Sequence, residues 1–435
     1  MRGISLWRGL VGDEQTVVEN VVFEGPGASR RLVVHVRPMA RRRWRCGVCW
    51  RRCARYDAGR GRRRWRALDH GVMMTFLEAD APRVRCREHG VVVAHVPWAA
   101  HGAGHTYLFD QQVAWLAVHI SKSAATELMR VTWRSVGVIV ARFWQRCQAQ
   151  ADGDGLDGLR RIGVDEISYK RNHKYVTVVV DHDTGNLVWA AEGRDKATLR
   201  AFFDQLGADR CKLITHTSAD GADSIAEVLE ERCPQAVRCA DPFHVVMWAN
   251  EALTRVRIDA WNDARALART EPKPLTGWAR RKQWLPGRER ARKLKNSRFA
   301  LWKNPENLTE RQQMKLAWIA VSDPRLYRAY LLKEALRLIF RMPYDEAVTA
   351  LDRWVDWARR CRIPDFVKLQ RRIVKHRDRI LAAIKHRMSN GLVESVNTEI
   401  RVLTRVAFGF HNANALIAMA MLTLGPHRPE LPDRS

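Results

Sequence analysis

Three acidic residues, far apart in the sequence, occupy positions from which they could share one metal site. Asp165 follows an apolar strand-like run that includes Ile162 and Val164, and Asp220 follows a second such run, CKLITHTSA. Glu394 lies in the first turn of a predicted helix, GLVESVNTEIRVLTR. Mg²⁺ prefers hard oxygen ligands and often takes only one or two carboxylates. Two such ions, about 4 Å apart, stabilise the entering and leaving oxygens of a phosphoryl displacement. The three acids therefore predict a phosphodiester-transfer site.

Each acid also has a purely structural explanation. Asp165 could end a strand, Asp220 could cap the following helix, and Glu394 could complement a helix dipole. Taken singly, these explanations are the better ones. Taken together, on a βββαβαβ order in a basic chain, the three acids favour the catalytic interpretation.

The segment Asp241-Pro-Phe-His244 has two interpretations of equal weight. Asp followed by Pro is a good N-cap and first helical residue, so structure alone could account for Asp241. A histidine one turn into that helix, beside the proposed metal site, could instead orient a phosphate or the leaving strand. We therefore treat Asp241 and His244 as accessory candidates.

Two short pairs of residues predict a structural zinc site. Cys46 and Cys49 form one pair, and Cys86 and His89 form the other, each spaced so that one tight turn can aim both side chains at one ion. Zn²⁺ is normally held tetrahedrally by four such ligands. The nine cysteines are odd in number and favour a metal site plus free thiols over a disulfide framework, and we interpret Cys53 as a free thiol.

The elements that carry these residues predict a multidomain α+β protein. Short β-rich runs come first, then a helical period, then an acidic, glycine-containing linker, and then strands and helices in the order βββαβαβα. A long basic helical stretch and a last helix follow. The predicted domains are a β-rich zinc-binding domain (1–100), a helix-turn-helix domain (105–150), a linker (151–159), the first part of a mixed α/β core (160–254), an all-helical insertion (255–388) and a C-terminal core helix carrying Glu394 (389–425).

The segment SKSAATELMR-VTW-RSVGVIVARFWQR predicts a helix, a three-residue turn and a second helix, with Ser135 near the start of the second. This pattern fits a helix-turn-helix, whose second helix enters a major groove. Any helical hairpin gives a similar period. The surrounding positive charge favours the DNA-binding interpretation.

Arginine residues are the candidate DNA contacts. The stretch RRRWRCGVCWRRCARYDAGRGRRRWR interleaves arginine with tryptophan, which suits pairing with phosphate and stacking on bases. A solvated basic surface explains any single arginine, but so dense a cluster favours contact with DNA. The candidates are Arg43, Arg45, Arg63 and Arg64 in this stretch, Arg134 and Arg142 on the second helix of the helix-turn-helix, and Arg401 and Arg405 on a polar stripe of the last helix with Glu394 and Asn397.

The composition of the whole chain supports a nucleic-acid partner. The 435 residues include 75 Lys+Arg and 47 Asp+Glu, and 75 − 47 gives a net charge of +28 that is spread along the length. Such a charge favours an extended polyanion. A hydrophobic fraction of 46% excludes collagen-like and wholly disordered classes. We find no apolar run of about 18 residues and no signal-peptide pattern, so we expect a cytoplasmic, nucleoid-associated protein without a membrane partner.

Several motifs together resemble those of the insertion-sequence transposases of the ISL3 family. They are GVDEI, KYVTVVVDHDTG, the EGR of residues 192–194, ADPFHVV at 240–246 and SNGLVESVNTEIRVLTRVAFGF at 389–410. The resemblance implies a ribonuclease-H-like core with a DDE triad, interrupted by a helical insertion. It implies that Asp165 and Asp220 are the two Asp residues and Glu394 the Glu, with Asp241 and His244 as an accessory Asp-x-x-His motif.

Two departures from that pattern affect the assignments. In SADGADS the methionine that often follows the second Asp of the family is missing, so Asp223 and Asp241 stay open as alternatives to Asp220. The loop KRNHKY lacks a glycine often found there, which changes a hairpin turn rather than the chemistry.

The sequence therefore predicts a DNA transposase. It would bind the terminal inverted repeats of its element, cleave DNA with Mg²⁺ or Mn²⁺, join the freed 3′ hydroxyl to target DNA, and act as a homo-oligomer with structural Zn²⁺. One rival is a ribonuclease-H-type nuclease or junction resolvase, which would cut without joining. The other is a non-catalytic zinc-dependent DNA-binding regulator, which would tolerate alanine at all three carboxylates.

Overall fold

Alternating apolar residues build a four-stranded sheet near the N-terminus. A computed structural model describes residues 14–150, 153–170, 174–219, 223–272 and 286–432, with Trp7, Gly9 and Val11. The sheet has the order β1-β2-β5-β4, and β2 and β5 pair in parallel while the other pairs are antiparallel. Its strands are β1 (Thr16–Glu24), β2 (Arg31–Pro38), β4 (Arg62–His70) and β5 (Met73–Asp80).

A smaller antiparallel sheet carries two of the four predicted zinc ligands. It consists of β3 (Ala54–Asp57), β6 (Arg83–Cys86) and β7 (Gly90–Val93), in the order β3-β6-β7. The hairpin that joins β6 to β7 contains the pair Cys86 and His89, since Cys86 pairs with Gly90 across its turn. The β-rich character predicted for the first hundred residues is confirmed.

Three helices follow, and local capping explains where the first two begin. They are α1 (Tyr107–His119), α2 (Lys122–Met129) and α3 (Trp133–Gln150). The side chains of Thr106 and Ser121 accept hydrogen bonds from main-chain N–H groups in the first turns of α1 and α2. The helices share an apolar core, and α2, a three-residue turn and α3 form the predicted helix-turn-helix.

A five-stranded mixed sheet forms the centre of the second half of the chain. Its order is β10-β9-β8-β11-β12, with β8, β9 and β10 antiparallel and both β11 and β12 running parallel to β8. Strand β8 is therefore central. The strands are β8 (Arg161–Lys170), β9 (Lys174–Asp181), β10 (Leu187–Glu192), β11 (His216–Ala219) and β12 (Val237–Ala240), and the intervening helices are α4 (Lys196–Leu206), α5 (Ala208–Cys211) and α6 (Asp223–Arg232).

A set of helices with one common apolar core follows the sheet. Four of them begin with proline, whose fixed φ and missing N–H suit the first helical turn. The set comprises α7 (Pro242–Thr270), α8 (Pro286–Lys295), α9 (Arg298–Trp302), α10 (Glu310–Ser322), α11 (Pro324–Ile339), α12 (Tyr344–Arg360), α13 (Pro364–Lys375) and α14 (Arg377–His386). Among the helices that the structure describes, none is long and apolar enough to cross a bilayer.

Two predicted boundaries differ from the structure. The division at 254/255 falls inside α7, a single 29-residue helix, because no glycine or proline interrupts the helical period between 243 and 270. The stretch 389–425 contains two helices rather than one, α15 (Gly391–Val406) and α16 (Ala413–Leu424), because Phe408 and Gly409 take positive φ angles between them.

The chain divides into two compact units. One comprises Met1–Asp152 with Leu403–Ser435, and the other comprises Gly153–Val402. In the stretch predicted as a linker, Leu156 and Leu159 are buried in the apolar core under the five-stranded sheet. The described part of that stretch is therefore packed structure. Helix α16 lies within residues 403–435 and so belongs with the N-terminal unit.

Candidate active site

Asp165 lies within the central strand of the five-stranded sheet. Its Oδ1 accepts a hydrogen bond from the main-chain N–H of Glu166 at 2.7 Å, and its Oδ2 accepts one from Nδ2 of Asn397 at 2.8 Å. The strand continues to Lys170 because β9 pairs with it beyond Asp165. Asp165 is thus an interior strand residue, tied by one side-chain amide to helix α15.

Gly163 lets helix α15 approach the sheet. A Cβ at this position would lie 2.4 Å from Cγ2 of Val393, 2.8 Å from Nε2 of His182 and 3.2 Å from Oγ of Ser218. Any larger residue would push at the stiff, fully buried side chain of Val393. The glycine two residues before Asp165 is therefore required by the packing of the helix that carries Glu394.

Glu394 meets the Asp-Pro-Phe-His segment at the start of α7. The ligand atoms of Asp241, His244 and Glu394 all lie within 4.8 Å of one another. In the described parts of the chain this is one of two groups whose donor atoms could hold an ion, and Asp165 belongs to neither. The structure thus brings Glu394 together with both accessory candidates, and connects Asp165 to the same helix through Asn397.

The carboxylate of Asp241 is occupied by N–H donors. Its Oδ1 accepts from the main-chain N–H groups of Phe243 at 3.4 Å and Asn390 at 3.2 Å, while Oδ2 accepts from N of His244 at 3.4 Å and from Nδ1 of the same residue at 2.7 Å. Asp241 is only 3% exposed. It caps α7 and fixes the imidazole of His244 with its proton on Nδ1.

Asn390 joins the start of α15 to the sheet. Its Oδ1 accepts from Oγ of Ser218 at 2.9 Å, and that hydroxyl contacts Nε2 of His182 at 2.8 Å. The carbonyl oxygen of Asn390 accepts from N of Glu394 at 2.8 Å, which begins the helical hydrogen bonding. Burial lowers the pKa of His182, so its ring is neutral near pH 7 and donates from Nε2 to the serine.

The second predicted catalytic Asp lies outside the described residues. Asp220 follows Ala219, the last described residue of β11, and the side chain of Asp223 is also outside the description although α6 begins there. Ala219 pairs with Val164, the residue before Asp165. Asp220 and Asp223 therefore stay open as assignments.

The four predicted zinc ligands come together in the N-terminal unit. Sγ of Cys46 lies 3.8 Å from Nδ1 of His89, Sγ of Cys86 lies 3.6 Å from the same nitrogen, and the sulfurs of Cys49 and Cys86 are 3.6 Å apart. The hydrogen bond with His89 lowers the pKa of the Cys86 thiol to about 6. These spacings and the three soft thiols suit a tetrahedral Zn²⁺ ion.

The arginines of the zinc-binding stretch have partners within the N-terminal unit. Arg43 donates to the carbonyl of Pro38, Arg45 to that of Trp50, Arg63 to those of Gly102 and Ala103, and Arg64 forms ion pairs with Glu24 and Glu78. Arg63 also lies over the ring of Trp65. These contacts hold the guanidinium groups in place, and the two carboxylates beside Arg64 offset its charge.

The other candidate arginines differ in their surroundings. Arg142 forms a two-bond ion pair with Asp110 of α1, at 2.6 and 2.7 Å, and is partly buried. Its role is therefore structural in the first place, which revises the expectation of a DNA contact. Arg134, Arg401 and Arg405 are exposed, and none of the three pairs with a carboxylate in the part of the chain that the structure describes.

Sequence reasoning missed the buried amides. Asn397 was expected on the exposed polar stripe of α15, but it is 2% exposed and bonded to Asp165. Asn390 is a second buried amide, bonded to Ser218 of the sheet. Their neighbours in the sequence give no signal of these contacts, because the partners lie 232 and 172 residues away.

Comparisons with known proteins match the chain to three domain families in order. Residues 42–89 match the zinc-finger of transposase IS204/IS1001/IS1096/IS1165, and residues 94–144 match the helix-turn-helix domain of transposase family ISL3. Residues 162–420 match the DDE domain of the ISL3 family, described as a transposase. The predicted zinc ribbon and helix-turn-helix are thereby confirmed.

Two relatives extend over nearly the whole chain. The transposase for insertion sequence element IS1557 of Mycobacterium tuberculosis is 59% identical over all of this chain and 98% of its own length. The transposase for insertion sequence element IS1001 of Bordetella parapertussis is 26% identical over 91% of this chain and 92% of its own. With the three family matches, this similarity shows that the chain belongs to the ISL3 family of DDE transposases.

Proposed function

We propose that Asp165, Asp220 and Glu394 form the catalytic triad of this transposase on a ribonuclease-H-like core. The central strand of the five-stranded mixed sheet carries Asp165, and the helix that carries Glu394 packs on that strand. The helices between β12 and α15 form the insertion before the Glu. The observation that carries the proposal is this docking of the Glu394 helix against Asp165.

The donor set fits divalent cations. Asp165 is held as an acceptor by two N–H groups, and Glu394 lies in a group of possible ligands, so both residues offer hard oxygen atoms. When bound, Mg²⁺ or Mn²⁺ would supply charge neutralisation at the phosphate and a lowered pKa of bound water. The residues of this chain would hold the ions.

Asp220 is preferred to Asp241 as the second Asp. The carboxylate of Asp241 already accepts four N–H contacts as a helix cap and as the partner of His244, which leaves it a positioning role. The paired residues Val164 and Ala219 are followed in the sequence by Asp165 and Asp220. Within this site, His244 is assigned to contact with a phosphate or the leaving strand.

The N-terminal unit would recognise the terminal inverted repeats of the element. The zinc ribbon supplies a fixed surface with Arg43, Arg45, Arg63 and Arg64, and α3 supplies Arg134 for a major groove. Arg401 and Arg405 of α15 would contact backbone phosphates. Because two element ends must be cut and joined together, we expect a homodimer or larger oligomer on DNA.

The test uses the full-length protein with a pre-cleaved element end and a target plasmid. Asp165→Asn and Glu394→Gln should abolish cleavage and joining while binding to the element end survives, because the DNA-binding modules are untouched. Asp220→Asn should have the same effect, with Asp223→Asn as its matched active control. Cutting by the wild type without a joined product would favour a nuclease, and full activity of Asp165→Asn would refute the triad.

A further inference from the structure

We propose that Asn397 is a positioning residue that orients the carboxylate of Asp165 for divalent-metal binding. This inference rests on the proposed function, which it deepens. Nδ2 of Asn397 lies 2.8 Å from Oδ2 of Asp165, and Asn397 is 2% exposed. The residue lies three positions after Glu394 on α15, so one helix carries a proposed ligand and the group that orients a second ligand.

The hydrogen bond to Asp165 explains why an amide is buried at position 397. Helix α15 already has a buried apolar face in Val393, Val396 and Ile400, which would accept another apolar residue at position 397. An amide in such surroundings costs free energy unless it is hydrogen-bonded. The NH₂ group can only donate, so its hydrogen bond fixes the rotation of the Asp165 carboxylate.

The orientation leaves the carboxylate suited to an ion. Oδ1 of Asp165 accepts from its neighbour Glu166 and Oδ2 accepts from Asn397, so an N–H donor holds each oxygen in place. A carboxylate has about four acceptor positions, and two such donors are compatible with coordination. Groups that orient a ligand in this way commonly change metal affinity when they are removed.

A second observation points to the same region. Oδ1 of Asn397 is buried and finds no hydrogen-bond donor in the described parts of the chain. A buried amide oxygen without a donor is rare in folded proteins. Mg²⁺ usually keeps several water molecules in its coordination shell, and such a water would supply the missing donor.

The proposal is tested on the full-length chain with Asn397→Leu, which keeps the branched shape of the side chain and removes the donor. Asn397→Ala is the second variant, in case leucine prevents folding. Ser395→Ala, at an exposed position of the same helix, is the matched control. The readouts are calorimetric binding of Mn²⁺ without DNA, the Mg²⁺ concentration for half-maximal joining, and binding to the element end.

We expect Asn397→Leu to weaken Mn²⁺ binding by about 10-fold or more and to raise the half-saturating Mg²⁺ concentration by a similar factor. The joining rate at saturating Mg²⁺ should largely recover, and end binding should be unchanged. A merely structural role would lower the joining rate at every metal concentration and leave Mn²⁺ affinity as in the wild type, and that result would overturn the proposal.

Asp165→Asn separates this inference from the proposed function. If that variant still joins DNA and binds Mn²⁺ as the wild type does, the proposed triad fails. If it is inactive and binds Mn²⁺ weakly while Asn397→Leu keeps wild-type affinity, the triad stands and only the role of Asn397 is refuted.

Discussion

At the scale of single residues, two buried carboxylates of this chain are matched to donors from other turns or helices. Asp110 is 2% exposed and is paired with Arg142, and Asp241 is satisfied by the first turn of its own helix and by Asn390. Burial raises the pKa of Asp110, and the ion pair with Arg142 opposes that rise. Buried pairs of this kind stabilise the packing, whereas an exposed arginine such as Arg134 is available to a DNA phosphate.

Arg142→Ala and Arg134→Ala should therefore have opposite effects. Arg142→Ala leaves Asp110 buried without its cation, which costs about 3–5 kcal/mol of unfolding free energy. Arg134→Ala should leave stability unchanged, weaken end binding several-fold and reduce the salt dependence of binding by about one phosphate contact. Thermal melting and binding titrations at several salt concentrations distinguish the two. Equal melting temperatures for both variants would contradict this assignment.

At the scale of elements, the site depends on how closely α15 packs on β8. Gly163 provides the space, while Asn390 and Asn397 provide the polar contacts near the start and the middle of the helix. The helix is thus located by contacts on both sides of Glu394. A small displacement of this element would change the separation between Asp165 and Glu394.

Gly163→Ala should abolish or strongly reduce joining while end binding is retained. The new Cβ would overlap Val393, and overpacking of this kind costs about 1–3 kcal/mol. The double variant Gly163→Ala with Val393→Ala restores the space and should recover part of the joining activity, with Val393→Ala alone as the control. Joining by the single variant at the wild-type rate would show that the close approach is not needed.

At the scale of the whole molecule, the end of the chain completes the unit at its beginning. Residues 403–435 belong to the same compact unit as the zinc ribbon and the helix-turn-helix. Leu422 of α16 is fully buried in the apolar core that α1, α2 and α3 share. The DNA-binding unit is therefore formed from both ends of the chain, with the catalytic unit inserted between them in the sequence.

Leu422→Ala should destabilise the DNA-binding unit by about 2–5 kcal/mol, because a fully buried leucine leaves a cavity when it is truncated. Calorimetric melting and end binding at rising temperature measure the effect. Asn414→Ala, at an exposed position of the same helix, is the control. Unchanged melting and binding in Leu422→Ala would mean that the helix-turn-helix does not need α16.

The sequence by itself determined the features whose residues are close together along the chain. The two zinc pairs, the helix-turn-helix, the cap and proline at the start of α7, and the order of strands and helices in the core all follow from local spacing and periodicity. The resemblance to family motifs then predicted that Asp165, Asp220 and Glu394 are the catalytic carboxylates. The predicted domain division at 254/255 falls within one helix, and the predicted single helix at 389–425 is two helices, because helical period alone does not show where a domain ends.

The tertiary structure decided what depends on long-range packing. The contact between Asn397 and Asp165 spans 232 residues, and the space at Gly163 is needed only because Val393 lies against it. The inclusion of α16 in the N-terminal unit likewise has no local signal. The physical reason is common to all three: burial and close approach are properties of pairs of segments, and neither segment alone encodes which partner it meets.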